Sequence, residues 1–387
     1  MIQSKKKIIT FFTSSRADYD LIKNLKKLFL NNKKYEVHLI VTGTHLSKNF
    51  GLTVDQINYQ KTNSFFIKVN TNVSFPKDIM NVSSVYLKKF QKYFNKYNPN
   101  IVVLLGDRYE ALMFAYCAYL NLSKIIHLHG GELTTGAYDD AFRHSISKFA
   151  HLHFVSHITY KKRLIQLGEF NKYIFNYGAF GVDNIFNRKN YSIKDLSKIL
   201  DFDLIQKKYF LVSYHPETIK GETTIKDFEI LMKSLTKFNK YKVIISLTNA
   251  DTYSRQFMKI TNEYVNKYEN FFLLKSLGSE IFLSLIEKAE IFIGNSSSGI
   301  IESPYLKTFF LLIGDRQNGR VISKNIMKIN PSSKIIVRSI KKILTSKVIK
   351  SRIQTFGKNN VAKRTYDQII KSIDKIKFKK FFNDIII

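Results

Sequence analysis

Short apolar runs rich in Ile, Val, Phe and Tyr recur along the chain, and segments with a helical pattern lie between them. This alternation is expected of buried parallel strands that are joined by crossover helices. In the first half it predicts strands at residues 7–13, 35–42, 65–69, 101–105, 125–128, 153–155 and near 173–177. In the second half it predicts strands at residues 209–214, 242–247, 271–274, 291–293 and 308–313.

Two sets of strands of similar size therefore follow each other along the chain. They predict an α/β fold with two doubly wound, Rossmann-like domains that face each other across a cleft. The pattern breaks between residues 178 and 204, so we expect an N-terminal domain at residues 1–180 and a C-terminal, nucleotide-binding domain at residues 181–360. Residues 361–387 include a basic helical pattern, at 361–378, that can pack back on the N-terminal domain.

The composition is that of a globular protein, with 387 residues of which 44% are hydrophobic and 24% are charged. No stretch approaches the roughly 18 uninterrupted apolar residues of a membrane span. The first apolar run, residues 8–12, is too short for a secretory signal. The one cysteine, Cys117, cannot form an intrachain disulfide, so we expect a cytoplasmic protein without a membrane partner.

The net charge of +32 suggests nucleic acid or an anionic membrane surface as a partner. However, of the 62 basic residues only 11 are arginines, and the lysines are spread along the whole chain. We therefore expect most of the charge to be solvated surface and expect no nucleic-acid partner. Nucleic-acid binding stays open as an alternative, and its mark would be a strong dependence on salt.

The turns that follow the predicted strands are unusually polar, and ligands of open α/β sheets bind at this edge. Five of the 11 arginines, namely Arg16, Arg108, Arg143, Arg316 and Arg320, fall in or beside these turns. Because arginine holds phosphate with a planar fork of donors, this distribution favours an anionic ligand.

The serine-rich run at residues 294–299 follows a predicted strand and opens a helix that ends near Glu302. Backbone N–H groups and hydroxyls at such a position form an anion pocket, for which a diphosphate is a natural occupant. A serine-rich helix cap without a ligand explains the local sequence equally well. Arg316 and Arg320, which follow the next strand, favour the phosphate interpretation.

Acidic residues concentrate in the segment that ends at Arg143, which contains Glu132, Asp139 and Asp140. Asp139 and Arg143 are spaced i, i+4, so a surface helical ion pair is one interpretation. The other is a set of neighbouring carboxylates that raise one another's pKa and transfer protons near neutral pH. From these residues alone both interpretations stay open.

Several familiar motifs do not occur in the sequence. It contains neither the G-x-G-x-x-G fingerprint nor the G-x-x-x-x-G-K-[ST] loop, so dinucleotide redox chemistry and P-loop hydrolysis have no support. His127 and His129 alternate along a predicted strand and so point to opposite faces. They are poor partners for a shared metal ion, and we expect no metal site.

The polar turns form an ordered set. They comprise Arg16-Ala17-Asp18-Tyr19, Gly106-Asp107-Arg108-Tyr109-Glu110, residues 127–132 with Gly136, Asp139-Asp140, Arg143-His144, residues 294–302, Gly314-Asp315-Arg316-Gln317 and Gly319-Arg320. This set resembles the hydrolysing UDP-N-acetylglucosamine 2-epimerases over roughly residues 8–320. The resemblance implies the two-domain GT-B architecture, a place in sialic acid or legionaminic acid synthesis, and no metal or redox cofactor.

The resemblance also implies a reaction. Enzymes of this family eliminate UDP from C1 together with the C2 proton, and then add water to give a free 2-epimer, such as N-acetylmannosamine, plus UDP. Carboxylates must remove the weakly acidic C2 proton while other groups stabilise the departing diphosphate.

The roles of individual residues follow by motif match. Proton transfer is assigned to Asp107, Glu132, Asp139 and Asp140, with Arg143 orienting them. Binding of the UDP-sugar is assigned to Arg16, Asp18, His215, Ser296, Ser297, Glu302, Arg316 and Arg320, among which Glu302 would take the ribose hydroxyls.

The sequence departs from the family pattern at His129. Relatives of the mammalian and non-hydrolysing kinds carry a carboxylate at this position, in H-x-E-x-G. Either His129 takes over proton transfer, since histidine ordinarily titrates near neutrality, or Glu132 does. The first turn continues as Asp18-Tyr19-Asp20-Leu21, without the lysine of the non-hydrolysing relatives, which favours the hydrolysing branch.

The substrate and assembly are less defined. UDP-N-acetylglucosamine is the expected substrate, and a UDP-2,4-diacetamido-2,4,6-trideoxy sugar is the alternative. A GT-B glycosyltransferase is a further alternative, which would need an acceptor site. A homo-oligomer, either a dimer or a tetramer, is expected.

Overall fold

The computed structural model describes residues 6–47, 52–57, 59, 62–69, 76–206, 208–246, 252–274, 278–346, 349 and 351–385. Its strands are β1 Lys7–Thr13, β2 Tyr35–Thr42, β3 Asn63–Ile67, β4 Ile101–Leu105, β5 Lys124–Leu128, β6 Leu152–Val155, β7 Ile174–Asn176, β8 Tyr209–Ser213, β9 Lys242–Ser246, β10 Phe271–Leu274, β11 Ile291–Gly294, β12 Phe310–Ile313 and β13 Ile326–Ile329.

Helices alternate with these strands. They are α1 Arg16–Leu30, α2 Pro76–Tyr97, α3 Tyr109–Leu120, α4 Asp139–Phe149, α5 Ile158–Gln166, α6 Phe180–Asn187, α7 Ile193–Leu200, α8 Thr223–Leu235, α9 Ser254–Lys267, α10 Ser279–Lys288, α11 Ser297–Ile301, α12 Ser303–Leu306, α13 Ser333–Leu344 and α14 Val361–Ser372. Among the described helices, none is both long and apolar enough to cross a membrane.

The strands form two parallel sheets. The first has seven strands in the order β3-β2-β1-β4-β5-β6-β7, and the second has six in the order β10-β9-β8-β11-β12-β13. The two parallel sheets confirm the predicted fold class. All twelve predicted strands are present, with shifts of a few residues at their ends. The predicted end of β9, Leu247, lies outside the described residues.

The strand order reverses direction between β1 and β4 in the first sheet and between β8 and β11 in the second. At such a switch point the flanking helices lie on opposite faces, and a crevice opens at the carboxyl ends of the strands. The turns that follow β1, β4, β8 and β11 are therefore the ones that the fold places beside a crevice.

The last helix, α14, packs against α1 beside the first sheet. Val361, Ala362 and Ile369 are buried in one apolar cluster with residues of α1, β1 and β2. The carboxylate of Asp183, in α6, accepts hydrogen bonds of 2.8 Å from the N–H groups of Val361 and Ala362, and so caps the start of α14. The division into domains at 1–180, 181–360 and 361–387 stays a prediction.

Beyond α14 the chain continues along the first sheet. The Lys124 ammonium donates to the Ile373 carbonyl at 2.7 Å, and His151 donates through Nε2 to the Phe378 carbonyl at 3.0 Å. Lys380 donates to the Lys148 carbonyl, at the end of α4, at 2.8 Å.

Candidate functional site

A cavity lies between the two sheets, at the turns that follow β1, β8 and β11. Six of the eight residues predicted to bind a UDP-sugar line it, namely Arg16, His215, Ser296, Ser297, Glu302 and Arg316. The cavity thus takes one side from the first sheet and the other from the second. Its cationic and hydroxyl groups can surround an anion.

The turns of the second sheet are tied together around Asn295, which is fully buried. Its side-chain amide accepts from the His215 N–H at 2.7 Å and donates to the His215 carbonyl at 2.8 Å. Its own carbonyl accepts from the Gln317 amide at 2.8 Å. These bonds fix the loops that carry His215 and Arg316 relative to the serine-rich run.

Gly294 allows the close approach of β11 and β8. Its φ is +137°, and a Cβ atom there would lie 2.0 Å from the Ser213 carbonyl oxygen. Only glycine fits such a contact without a backbone shift. The sequence therefore uses Gly294 to bring Ser296 and Ser297 next to the turn of His215.

Glu302 lies deep in the cavity wall, and its side chain meets α6. A Cβ atom at Gly181 would lie 2.2 Å from Oε1 of Glu302, so glycine makes room for the carboxyl group. Its Oε2 is buried and has no hydrogen-bond partner among the described residues. Burial raises the pKa of Glu302 to about 8, so the carboxyl group is mostly protonated at neutral pH.

A second cluster of polar side chains lies at the ends of β4 and β5. The Arg143 guanidinium forms an ion pair with Asp107 and donates to the Glu132 carbonyl at 3.0 Å and to the Thr134 hydroxyl at 2.9 Å. Arg143 therefore joins α4 to the turns that follow both strands. The side chain of Asp107 keeps 20% of its surface exposed, so one side of this carboxylate stays accessible.

Glu132 is the centre of this cluster and is only 2% exposed. Its Oε1 lies 2.9 Å from Nδ1 of His129 and accepts from the Ser156 hydroxyl at 2.7 Å, and its Oε2 lies 3.0 Å from Arg320. Burial opposes ionisation, but Arg320, His129 and Ser156 together outweigh it and lower the pKa of Glu132 to about 2. Both carboxylate oxygens of Glu132 therefore already have partners within the protein.

Both nitrogens of His129 are also engaged. The Phe180 N–H donates to Nε2 at 3.2 Å, so Nε2 is an acceptor and Nδ1 carries the proton that points to Glu132. This geometry favours a positioning role for His129 and Glu132 over the proton transfer that the sequence suggested for one or the other. The assignment of proton transfer among Asp107, His129 and Glu132 stays a prediction.

Asp139 and Asp140 lie in the first turn of α4. The positive end of the helix dipole lies at this position. Asp140 accepts a hydrogen bond of 2.5 Å from the Thr134 N–H and lies 3.7 Å from Nε2 of His144. Their assignment to proton transfer stays a prediction.

Two of the residues predicted to bind the UDP-sugar lie outside the cavity wall. Asp18, in the first turn of α1, accepts from the N–H and hydroxyl of Ser14, at 3.3 and 3.0 Å, while Asp20 lines the cavity. Arg320 is directed to Glu132 and donates to the Leu133 carbonyl at 3.1 Å. Arg320 therefore connects the two sheets, and its assignment to UDP-sugar binding stays a prediction.

One end of the cavity was not predicted from the sequence. This end is formed by Ser246, Leu274, Gly278, Ser279, Ile281 and Phe282. These residues end β9 and β10 or lie at the start of α10, so their position at the ends of strands was the available signal. They carry no charge, and for that reason they do not stand out in the sequence. In the described part of the chain, no group of His, Cys, Asp and Glu side chains is arranged to hold a metal ion.

Residues 28–370 match the family model described as UDP-N-acetylglucosamine 2-epimerase. The chain belongs to this family. The resemblance that was inferred from the polar turns is therefore confirmed.

Two curated relatives are hydrolysing members of the 2-epimerase family. The GDP/UDP-N,N'-diacetylbacillosamine 2-epimerase (hydrolyzing) of Campylobacter jejuni is 40% identical over 329 residues, which cover 84% of each chain. The UDP-N,N'-diacetylbacillosamine 2-epimerase (hydrolyzing) of Legionella pneumophila is 31% identical over 374 residues, which cover 94% of this chain and 96% of the relative.

Solved structures of the 2-epimerase family share the fold. The UDP-GlcNAc 2-epimerase from Neisseria meningitidis, solved with UDP-GlcNAc bound, superposes with a TM-score of 0.78. It is 15% identical in sequence, and the match covers 95% of this chain and 100% of that one. This likeness supports the two-sheet architecture of the GT-B type.

Proposed function

We propose that this chain is a hydrolysing 2-epimerase that converts a UDP-2-acetamido sugar to the free 2-epimer and UDP. The observation that carries the proposal is that one loop joins the cavity to the polar cluster at the ends of β4 and β5. The loop after β12 reaches both, because Arg316 lines the cavity and Arg320 binds Glu132. A diphosphate held in the cavity would place the attached sugar next to the carboxylates.

The sequence left two substrates open. We propose UDP-N,N'-diacetylbacillosamine, which is a UDP-2,4-diacetamido-2,4,6-trideoxy sugar. UDP-N-acetylglucosamine is the second candidate. The names of two relatives, which match 84% and 94% of this chain, favour the first.

The proposed reaction has two steps. In the first, a carboxylate, assigned to Asp107, takes the C2 proton; the electron pair forms the C1–C2 double bond, and the C1–O bond to UDP breaks. Arg16, Arg316, His215 and the serine-rich run would stabilise the diphosphate that leaves. In the second step water adds hydroxide to C1, and C2 receives a proton on the opposite face.

Proton NMR of both UDP-sugars in D₂O tests this function. We expect free UDP and a 2-epimer that carries deuterium at C2, without any acceptor. Release of the sugar with hydrogen retained at C2 would show simple hydrolysis and overturn the proposal. UDP release that requires an added acceptor would show a glycosyltransferase. A higher kcat/KM for UDP-N-acetylglucosamine would reverse the choice of sugar.

The buried carboxyl group of Glu302 predicts a dependence of nucleotide binding on pH. Its pKa is about 8 without ligand, whereas the two ribose hydroxyls would donate to the ionised form. Binding then releases a proton, so affinity should rise with pH. We expect the Kd to fall about tenfold between about pH 6 and pH 8. Calorimetry with UDP-glucose measures this, since its diphosphate does not titrate in that window.

The matched control is Glu302→Gln, which keeps the shape of the side chain but cannot ionise. Its Kd should be flat over the same range of pH. An equal pH dependence in the variant and the wild type would show that another group titrates and that Glu302 does not bind the ribose.

We also propose that the protein is a homo-oligomer whose copies meet at α3. Tyr116, Leu120 and Leu122 are exposed there by 45, 65 and 69%, and the helix contains neither lysine nor arginine. Two copies of a chain with a net charge of +32 repel each other least where the surface carries no positive charge. An uncharged apolar face is therefore the favourable contact for a second copy.

Sedimentation tests the oligomer. Leu120→Lys should dissociate the wild-type assembly, whereas Ile205→Lys, at an exposed apolar residue elsewhere, should leave it intact. A monomeric wild-type protein would contradict the proposal, as would a Leu120→Lys variant with unchanged mass.

A further inference from the structure

His127 connects the two segments that carry the Asp107–Arg143 ion pair. It lies at the end of β5 and is fully buried. Its Nε2 lies 2.8 Å from the carbonyl oxygen of Gly106, and its Nδ1 lies 3.0 Å from the hydroxyl of Ser147. Gly106 directly precedes Asp107, and Ser147 lies four residues after Arg143 on α4. One side chain thus touches both the backbone beside Asp107 and the face of α4 that carries Arg143.

The partners of His127 define its tautomer. A carbonyl oxygen can only accept, so Nε2 carries the proton that is donated to Gly106. Nδ1 is then an acceptor, and the Ser147 hydroxyl donates to it. Burial lowers the pKa of His127 to about 3, so the imidazole is neutral at ordinary pH and keeps this arrangement.

Neighbouring backbone makes room for this arrangement. Gly106 has a φ of +78°, in the left-handed region, and its N–H donates to the Leu128 carbonyl at 3.1 Å. At Gly130 a Cβ atom would lie 2.9 Å from Nδ1 of His127 and 3.0 Å from the Ser147 hydroxyl. The turn after β4 is therefore bonded on both sides of Gly106, and Gly130 leaves space for the link to α4.

We propose that His127 is a positioning residue that sets the placement of Asp107 relative to Arg143 for proton transfer at C2. The inference rests on the proposed function, since it assumes that Asp107 touches the sugar. His127 makes no contact with the ion pair itself; it acts through the Gly106 carbonyl and through Ser147. His127 then matters for function because it bonds to the backbone at Gly106.

The test compares His127→Leu, His127→Gln and His153→Leu. His153 is a matched control, because it pairs with His127 in register, is also fully buried, and bonds to Glu169 instead of the turn after β4. For His127→Leu we expect kcat to fall about 100-fold, with KM and the Kd for UDP within about twofold. Glutamine can restore the donor to Gly106, so His127→Gln should recover about tenfold of this loss. His153→Leu should lower the melting temperature but keep kcat.

Ser147→Ala covers the case in which His127→Leu fails to fold. It removes the donor to Nδ1 and leaves the imidazole in place, so we expect a fall in kcat of roughly threefold to tenfold at unchanged KM. If His127→Leu folds, a kcat within about twofold of wild type would overturn the inference. If it does not fold, the same result in Ser147→Ala would overturn it. An equal loss of kcat in His153→Leu would do the same.

Crystal structures separate this inference from the proposed function. Absence of any turnover by the wild type would reject the function alone. The positioning role would then be judged from the structure of His127→Leu, or of Ser147→Ala, with UDP bound. A displaced Gly106–Asp107 turn that is restored in His127→Gln supports the role, and an unchanged Asp107–Arg143 ion pair refutes it.

Discussion

Replacing Asp107 with asparagine should lower kcat for the UDP-sugar by about 10³-fold or more and leave the Kd for UDP within about twofold. The accessible side of this carboxylate is the proposed acceptor of the C2 proton, and an amide cannot take that proton. The diphosphate groups are held by other side chains, so binding should persist. The measurements are the rate of UDP release, deuterium incorporation at C2, and calorimetry with UDP.

Asp195→Asn is the control for this prediction, because Asp195 caps α7 on the surface. It should show wild-type kcat. Wild-type rates in Asp107→Asn would remove Asp107 from the mechanism and direct attention to Asp139 and Asp140. A large loss of UDP affinity would instead show that Asp107 organises the cavity.

Replacing Arg320 with methionine should destabilise the protein by about 3–5 kcal/mol at neutral pH. The change leaves Glu132 buried without its guanidinium partner. It should also reduce kcat, because Glu132 and His129 lose their fixed positions, while the Kd for UDP stays within about twofold. Urea unfolding measures the stability and calorimetry measures the binding.

The pH dependence of this effect has a defined sign. The pKa of Glu132 is about 2 in the folded protein and about 4.3 in an unfolded chain, so its pairing stabilises the wild type above about pH 4. That stabilisation is lost as the pH falls through about 4 towards 2, and the difference between wild type and Arg320→Met should shrink in the same window.

The double variant Arg320→Met with Glu132→Gln is the matched control. It removes both charges, so it should recover much of the stability lost in the single variant. A double variant that is no more stable than Arg320→Met would contradict the importance of the ion pair. A strong loss of UDP affinity in Arg320→Met would support the phosphate contact that the sequence predicted.

The sequence pattern predicted the sheets well because most of their strands are buried on both faces. Ile101–Leu105 and Phe310–Ile313 are continuous apolar runs of this kind. The pattern missed β13, whose sequence Ile-Met-Lys-Ile is partly exposed at the edge of the second sheet. Four residues interrupted by a lysine are too few for the apolar pattern to identify as a strand.

The candidate site was predictable where it depends on strand ends alone. His215, Ser296 and Arg316 line one cavity because parallel strands bring their carboxyl ends to one edge. The direction of a side chain beyond the strand was not predictable. Asp18 and Asp20 differ by 200° around α1, and the strand pattern does not fix which of them faces the cavity.

The contacts of Arg320 could not be predicted from the sequence either. Its long side chain can reach either a phosphate or a carboxylate, and the choice depends on how the two sheets approach each other. That approach is set by contacts between residues far apart in sequence, such as Gly319 against Leu133. Local sequence does not contain this information.

The packing of α14 on α1 has a consequence for synthesis on the ribosome. The apolar side of α1 is complete early, but its cover begins at Val361, roughly 330 residues later. At about 5–20 residues per second, a nascent chain would keep that surface open for many seconds. The first sheet therefore reaches its native burial only after the second sheet has been translated. A chain that stops before α14 would expose the apolar side of α1 to chaperones and proteases.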